Sequence, residues 1–236
     1  MSEHPSACAV GVPCEHGCVG SHCIELRSAK RDDVLSFIGA TSLTEDQVRR
    51  LGRMKDRATA CQGALDHQDI FWDLSIPDAL DHLVRGRADA PGDDAGCAYH
   101  AALQIIIASN GSDPAEVGYF RNPIAYFFEL DKELERCGVP QELCSFGFLF
   151  AGPPTEIPFH IPGSLEGYPA VGHLAVSRAK AVADAYRAVI DKIDQDFVDD
   201  LTALVEKLEF EHQDWASRQG RDDSWYVPDT LFFSTD

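Results

Sequence analysis

The sequence predicts an α+β fold, a mostly helical single domain with a small sheet formed by N-terminal and C-terminal strands. Most of the chain beyond residue 28 carries the apolar period of amphipathic helices. Two short β-prone runs, SACAVGV at 6–12 and TLFFST at 230–235, lie near opposite ends of the chain, and we expect them to pair. We therefore divide the chain into an N-terminal strand and Cys/His-rich loop, residues 1–27, and a mainly helical α+β domain, residues 28–236.

Start and stop signals along the chain predict seven helices. Ser42 and Glu45 have the spacing of a capping box, in which each side chain accepts a hydrogen bond from the backbone N–H of the other residue. Asn122 before Pro123 is a strong helix start, because proline is tolerated in a first turn. The predicted helices span residues 28–38, 42–60, 76–86, 97–111, 123–137, 177–193 and 196–219. The fourth is apolar nearly all round, which indicates a buried central helix.

The charge balance limits the classes of partner. The 236 residues include 20 basic and 39 acidic side chains, a net charge of −19. A field of that sign repels nucleic acid and anionic lipid, so we expect neither to be a partner. Complementary charge would instead favour a basic protein. The simpler alternative is that the charge only keeps the protein soluble.

Composition also suggests a compartment. No apolar stretch is long enough to cross a bilayer, and the first residues lack the basic start and apolar segment of a secretory signal. We therefore expect a cytoplasmic protein. Its eight cysteines are too sparse for a disulfide scaffold. Cys61, Cys97, Cys137 and Cys144 lie in apolar contexts, and we expect them to be small buried hydrophobic residues.

The run CEHGCVGSHC near the start is the strongest chemical signal. The predicted metal ligands are Cys14, His16, Cys18, His22 and Cys23, with Cys8 and His4 to spare. Thiolate and imidazole are the ligands that zinc prefers, and a tetrad of Cys14, Cys18, Cys23 and one of the two histidines would close a structural site. The spacings are not the usual C-x2-C pairs, so a loop of reduced thiols is the favoured alternative. Structural zinc is thus a hypothesis, and the sequence establishes no cofactor.

Other polar groups suggest catalysis less strongly. Asp66, His67 and Asp69 lie close to Trp72, and a carboxylate beside an imidazole can orient a general base. Such close neighbours in sequence rarely face one another, and no nucleophile accompanies them.

Histidines on apolar helices and a group of acids have simple structural interpretations. His82 and His100 fit core or boundary positions. Asp191, Asp194, Asp196, Asp199 and Asp200 have the oxygen ligands of a hard cation, but a helix junction with a solvated face is the simpler interpretation.

Residues 152–169 are rich in proline and glycine, which predicts an irregular surface segment. Long irregular segments often carry function, so His160, Glu166 and Tyr168 are candidates to line a pocket. We favour the interpretation that the segment covers the core.

Several segments in a fixed order suggest a family. They are ACAVGV, IELRSAKRDDVLSFI, DALDHLVRG, AYHAALQIII, EIPFHIPGSLEGYPAVGHL and LFFS. Their order resembles a bacterial family of unknown function that is distantly similar to YfbM-like proteins, and the resemblance covers most of the chain from Ser6 onwards. It implies an α+β domain with no assigned activity and no catalytic residues. The cysteine-rich loop between Val12 and Ile24 resembles an insertion into that pattern.

Two functional classes remain open. The first is a non-catalytic binding or immunity-like protein that neutralises a basic protein partner through its acidic helices and proline-rich segment. The second is a small enzyme or a zinc-binding protein with a structural metal in the Cys/His cluster. The sequence contains no P-loop, GxSxG elbow, HExxH helix or paired CxxC. We therefore favour a protein that is not an enzyme, and the sequence does not indicate its oligomeric state.

Overall fold

A four-stranded antiparallel sheet lies at the centre of the fold. The computed structural model describes residues 21–220 and 226–235, and everything stated about structure refers to them. The strands are β1 (His22–Ala29), β2 (Ala115–Phe120), β3 (Ala170–Ala175) and β4 (Thr230–Thr235). Their order in the sheet is β2-β1-β4-β3, with each neighbouring pair antiparallel.

Eight α-helices surround the sheet in the described part of the chain. They are α1 (Arg31–Leu35), α2 (Glu45–His67), α3 (Ile76–Val84), α4 (Ala95–Asn110), α5 (Pro123–Arg136), α6 (Phe146–Leu149), α7 (Val176–Arg187) and α8 (Val198–Arg218). None of these helices combines the length and apolar character needed to cross a membrane. The predicted α+β class is confirmed.

The sheet separates two hydrophobic cores, because successive side chains of a strand point to opposite faces. On β4, Phe232 packs with residues of α1 to α4, whereas Leu231 and Phe233 pack with residues of α5 to α8. Both neighbours of β4 in the sheet are strands, and all six of its residues are buried. Helix α4 is also buried along nearly its whole length, as its uniformly apolar sequence predicts.

The N-terminal partner of β4 lies further along the chain than we predicted. The predicted strand at residues 6–12 lies outside the described residues. The pairing partner is β1, which we interpreted as the end of a loop and the start of a helix at residue 28. Glu25 and Arg27 give this strand its polar appearance, but they share a face and form an ion pair of 3.1 Å. The helical prediction over 28–38 is correct only for α1.

Helix starts agree with their capping signals in two cases and differ in one. The Oγ atom of Ser75 accepts from Asp78 N, and the Oδ1 atom of Asn122 accepts from the first turn of α5. The predicted position of the capping box of α2 is wrong by two residues. Thr44 and Gln47 form it instead of Ser42 and Glu45, and α2 continues to His67.

Other predictions were wrong at the ends of helices, and two strands were missed. Strands β2 and β3 were not predicted. Helix α7 ends at Arg187, six residues before the predicted end, and α8 begins at Val198. The irregular segment at 152–169 is confirmed as a cover, because Ile157 and Ile161 are buried in the core on the α1 to α4 side.

Candidate functional site

Strand β2 forms one edge of the sheet. It pairs only with β1, and within the described residues no backbone hydrogen bond reaches it from another element. The register shifts between Ile24 and Glu25 of β1, so that β2 carries one extra residue, Val117, as a bulge. About half of the backbone N–H and C=O groups of such a strand point away from its single partner.

Helix α8 runs beside this edge in the opposite direction to β2. A groove of about 280 Å³ lies between them, lined by Ala115, Ala203, Glu206, Lys207, Phe210 and Glu211. We call it the edge groove. Further along β2, beyond the groove, a Cβ atom added to Gly118 would lie 3.9 Å from Oδ1 of Asp200. The acidic start of α8 therefore lies beside the same strand as the edge groove, but outside the groove.

The acids at that end form an exposed cluster, which we call the acidic junction. It comprises Asp191, Asp194, Asp196, Asp199 and Asp200, of which all but the last are exposed. The ion pairs on α7 and α8 are formed by other acids, namely Asp184, Glu209 and Asp214. Within the described chain, no carboxylate of the acidic junction forms an ion pair. Arg136, which forms an ion pair with Glu133, also interacts electrostatically with Asp194, so the charge of the acidic junction is only partly balanced.

Aromatic side chains lie at the acidic start of α8 and in the edge groove. The hydroxyl of Tyr126 donates a hydrogen bond of 2.6 Å to Asp200, and its ring packs edge-on against Phe197. Burial, this hydrogen bond and the charge of Asp200 raise the pKa of Tyr126, so the phenol stays protonated. In the edge groove Phe210 is 67% exposed. An exposed aromatic ring beside a carboxylate such as that of Glu206 is suited to binding the alkyl stem and charge of a basic side chain.

The proposed metal ligands are only partly described. Cys14, His16 and Cys18 lie outside the described residues. His22 and Cys23 are the first two residues of β1, where the imidazole of His22 stacks on Tyr168 at 4.2 Å between ring centroids. Because adjacent strand residues point to opposite faces, these two side chains diverge.

No group of three or more His, Cys, Asp or Glu side chains in the described residues is arranged to hold a metal ion. The hard-cation alternative for the acidic junction therefore has no support in the described part of the chain. Its carboxylates form a solvated face, which is the interpretation that we favoured.

The candidate general base is not assembled. Asp66, His67 and Asp69 are exposed at and just after the end of α2. The carboxylate of Asp66 accepts a hydrogen bond of 2.9 Å from Gln62. Nothing in this arrangement orients the imidazole of His67 towards a reacting group.

The two helical histidines have different surroundings. His82 is held between Tyr99 and Arg87 at 2.9 and 2.7 Å, which confirms a boundary position with satisfied nitrogens. His100 is buried on α4, but neither ring nitrogen has a hydrogen-bond partner within the described chain. Burial lowers its pKa to about 4, and the nearby carbonyl of Pro162 offsets only part of that effect.

The segment at 152–169 brings its polar candidates to different places. His160 and Glu166 are exposed, whereas the hydroxyl of Tyr168 accepts a hydrogen bond of 2.9 Å from Ile124 N. Tyr168 therefore ties this segment to the start of α5.

The cysteines of the helical region mostly have the predicted burial. Cys61, Cys97 and Cys144 are buried, and burial raises the thiol pKa of each, that of Cys144 to about 12. Cys137 is an exception, because its side chain lies at the partly exposed end of α5.

Sequence reasoning did not find the edge groove itself. The acidic junction was identified from composition. Because β2 was not predicted, the sequence did not indicate which strand lies beside Glu206 and Phe210 of α8. The available signal was AEVGYF, a β-prone run that follows Gly111 and Pro114.

Comparison with known families supplies one assignment. The model of a domain of unknown function, DUF7691, matches residues 20–234. The chain belongs to the DUF7691 family. The match begins just before β1 and reaches into β4, so the DUF7691 region includes β1 to β3, nearly all of β4 and the eight helices of the described residues. No curated protein and no solved structure matches the chain.

The DUF7691 assignment confirms the expected family of unknown function. Bacterial origin and similarity to YfbM-like proteins stay predictions. Cys14, His16 and Cys18 precede the matched residues, so the assignment carries no information about a metal at those positions.

Proposed function

We propose that this chain is an acidic, non-catalytic binding protein of the immunity kind, which works in the cytoplasm and neutralises a basic protein partner. The observation that carries the proposal is the edge groove, where Glu206 and Glu211 lie with Lys207 and the exposed ring of Phe210 beside a strand that, within the described residues, pairs on one side only. Basic side chains supply the complementary charge, and an aromatic anchor supplies apolar contact area.

Electrostatics supports this choice of partner. The exposed carboxylates of the acidic junction produce a negative potential that attracts positive charge over about 10 Å at moderate salt. The net charge of −19 adds a field of the same sign around the whole molecule. Association with a basic protein is therefore expected to be fast and strongly dependent on salt.

The state of the cysteines supports the proposed compartment. Among the described residues, no two cysteines form a disulfide bond with each other. Reduced thiols persist in a reducing environment, as in the cytosol.

The test is affinity capture from lysate of the source cells with the immobilised full chain. We expect one basic protein at stoichiometric amount in about 50 mM salt, released in about 500 mM salt. The double variant Asp199→Lys with Glu206→Lys should reduce its retention at least about tenfold. The control, Asp56→Lys with Asp66→Lys, makes the same charge change on exposed positions of α2 and should retain it. Equal retention by both variants would contradict the proposed site.

A structural zinc site is the second proposal for this chain. His22 and Cys23 stand at the start of β1, directly after the segment that holds Cys14, His16 and Cys18. A closed tetrad would anchor that segment to the sheet. Since the side chains of His22 and Cys23 diverge, we propose that one ion takes only one of them.

Elemental analysis of the purified chain tests the zinc proposal. Zinc near one equivalent, lost in the double variant Cys14→Ser with Cys18→Ser, would establish the site. Less than about a tenth of an equivalent of zinc in the unmodified chain would contradict the zinc proposal.

A further inference from the structure

We infer that residues 157–163 form a pH-sensitive cover over the first turns of α4, which opens when the buried imidazole of His100 takes up a proton. We call these residues the cover loop. Its buried side chains belong to the core on the α1 to α4 side of the sheet, whereas the edge groove lies beside α8. The inference therefore does not depend on the proposed function.

The cover loop packs closely on the face of α4 that carries His100. Gly96 lies four residues, about one turn, before His100, so the two residues share a face of the helix. A Cβ atom added to Gly96 would overlap the carbonyl oxygen of Gly163 and lie 3.1 Å from that of Pro162. The carbonyl of Pro162 also acts on the ring of His100. Movement of the loop away from α4 therefore gives water access to the ring.

Few interactions hold the cover loop against the helix. No backbone hydrogen bond in the described residues joins residues 158–163 to another part of the chain, and Pro158 and Pro162 have no N–H group to donate. The loop is held instead by the buried side chains of Ile157 and Ile161. A segment with so few backbone hydrogen bonds opens at a smaller free-energy cost than the whole domain.

Both ends of the cover loop are anchored, so the opening stays local. Before the loop, Arg31 forms an ion pair with Glu156. After the loop, the hydroxyl of Tyr168 accepts a hydrogen bond of 2.9 Å from Ile124 N, and its carbonyl accepts one of 3.4 Å from the thiol of Cys97. None of these interactions has to break when residues 157–163 move.

The imidazole of His100 is poorly placed to carry a charge while the loop is closed. The residue is 6% exposed, and neither ring nitrogen has a hydrogen-bond partner within the described chain. A protonated ring has two N–H donors, and burial of a charged group with unpaired donors is costly. Once the loop opens, water accepts from both donors, so protonation favours the open form.

No acidic side chain in the described residues offsets that charge. Burial lowers the pKa of His100 to about 4, the carbonyl of Pro162 offsets part of that effect, and no charged side chain contributes to either. This holds although titratable groups are present on α4, on the elements packed against it and beside the loop, namely Cys97, Asp33 of α1, Cys61 of α2, His82 of α3, Arg27 of β1, His173 of β3 and Glu166.

The size of the effect follows from the difference between the closed and open forms. The pKa of His100 is about 4 in the closed form, and in the open form we assign it the ordinary value of 6.5. The closed form is fully favoured above pH 6.5, and it loses that advantage as the pH falls towards 4. Between pH 7.5 and 5.5 the ratio of open to closed molecules should rise about tenfold.

The test is native-state proteolysis of the full chain with thermolysin, which cleaves before large apolar residues such as Ile161. The rate of cleavage within the cover loop is divided by the rate for a free peptide of residues 154–168 at the same pH, so the pH dependence of the protease cancels. Cleavage reports the open population when opening is fast relative to cleavage. We expect the normalised rate to rise about tenfold from pH 7.5 to 5.5. Dilute urea should change it little, because local opening exposes little surface.

Two variants without the titrating ring, His100→Gln and His100→Leu, should reduce this rise to less than about twofold. Each variant is compared with itself at two pH values, so a change in its basal opening cancels. The matched control, His160→Gln, makes the same substitution at an exposed position of the cover loop itself. A rise that is lost in His160→Gln and kept in both His100 variants would overturn the inference.

NMR of the Ile161 δ1 methyl group gives a measurement that needs no variant. Relaxation dispersion of this buried methyl should increase as the pH falls from 7.5 to 5.5, because the open form becomes more populated. The same dispersion at both pH values would contradict the opening. The inference also fails if normalised cleavage is equal at the two pH values, or if the first cuts spread through α7 and α8 and accelerate with urea, as in global unfolding.

Discussion

Replacement of the unpartnered histidine of α4 should change how stability depends on pH. His100 has a pKa of about 4 in the folded protein, against 6.5 for the ordinary side chain. The unfolded chain therefore binds a proton in a range where the folded protein does not. Stability is fully retained above pH 6.5 and is lost as the pH falls towards 4.

The magnitude follows from the two pKa values. Each pKa unit corresponds to about 1.4 kcal/mol, so His100 should cost the folded state about 3 kcal/mol by pH 4. About 1.4 kcal/mol of this loss should occur between pH 7.5 and 5.5, where carboxylates contribute less to the pH dependence.

The assay is urea unfolding at pH 7.5 and 5.5, followed by tryptophan fluorescence, for the unmodified chain and for His100→Leu. The variant has no titrating ring, so its free energy of unfolding should fall by about 1.4 kcal/mol less than that of the unmodified chain. The matched control, His67→Leu, makes the same substitution at an exposed position at the end of α2. An equal fall in the unmodified chain and His100→Leu would refute the reasoning.

Three further substitutions test how the helices pack. Gly96→Ala places a Cβ atom against the carbonyl of Gly163, so we expect its free energy of unfolding to fall by about 1–3 kcal/mol. Gly63→Ala meets open space on α2 and should raise the free energy of unfolding by about 0.5–1 kcal/mol. An increase in both variants, measured by urea unfolding, would contradict the close contact at Gly96. Asp131 accepts hydrogen bonds of 2.7 and 2.6 Å from the backbone N and hydroxyl of buried Ser145, so Asp131→Ala should lower the free energy of unfolding by about 2–4 kcal/mol. A change below about 0.5 kcal/mol for Asp131→Ala would show that water replaces the carboxylate.

Helices with local signals were the predictable part of the fold. Ser75 and Asn122 accept hydrogen bonds at the helix starts where the sequence places them. These interactions involve residues three apart, so they can be recognised without knowledge of the tertiary structure.

Strands β2 and β3 depend on contacts that are distant in sequence. Gly172 of β3 approaches the carbonyls of α6 so closely that an added Cβ atom would lie 2.1 Å from the oxygen of Leu149. That approach explains a glycine inside a strand, but nothing near it in sequence reveals the neighbour. The polar pair of Glu25 and Arg27 concealed β1 in the same way, since their mutual ion pair exists only once the strand is buried.

The candidate site was predictable in charge but not in shape. Composition alone identified the acidic junction around Asp199, because acids near a helix start are visible in sequence. The edge groove requires the strand order, which places β2 at the edge and α8 beside it. Strand order depends on pairing between distant segments and has no local signature.

The pairing of β1 with β4 has a consequence for biosynthesis. About 200 residues separate the two strands, so a ribosome working at roughly 5–20 residues per second releases β4 about 10–40 s after β1. During that interval the nascent chain holds β1 without its central neighbour, with Ile24 and Leu26 exposed to chance encounters. Chaperones that bind extended apolar segments therefore have a defined target and a defined time window during translation.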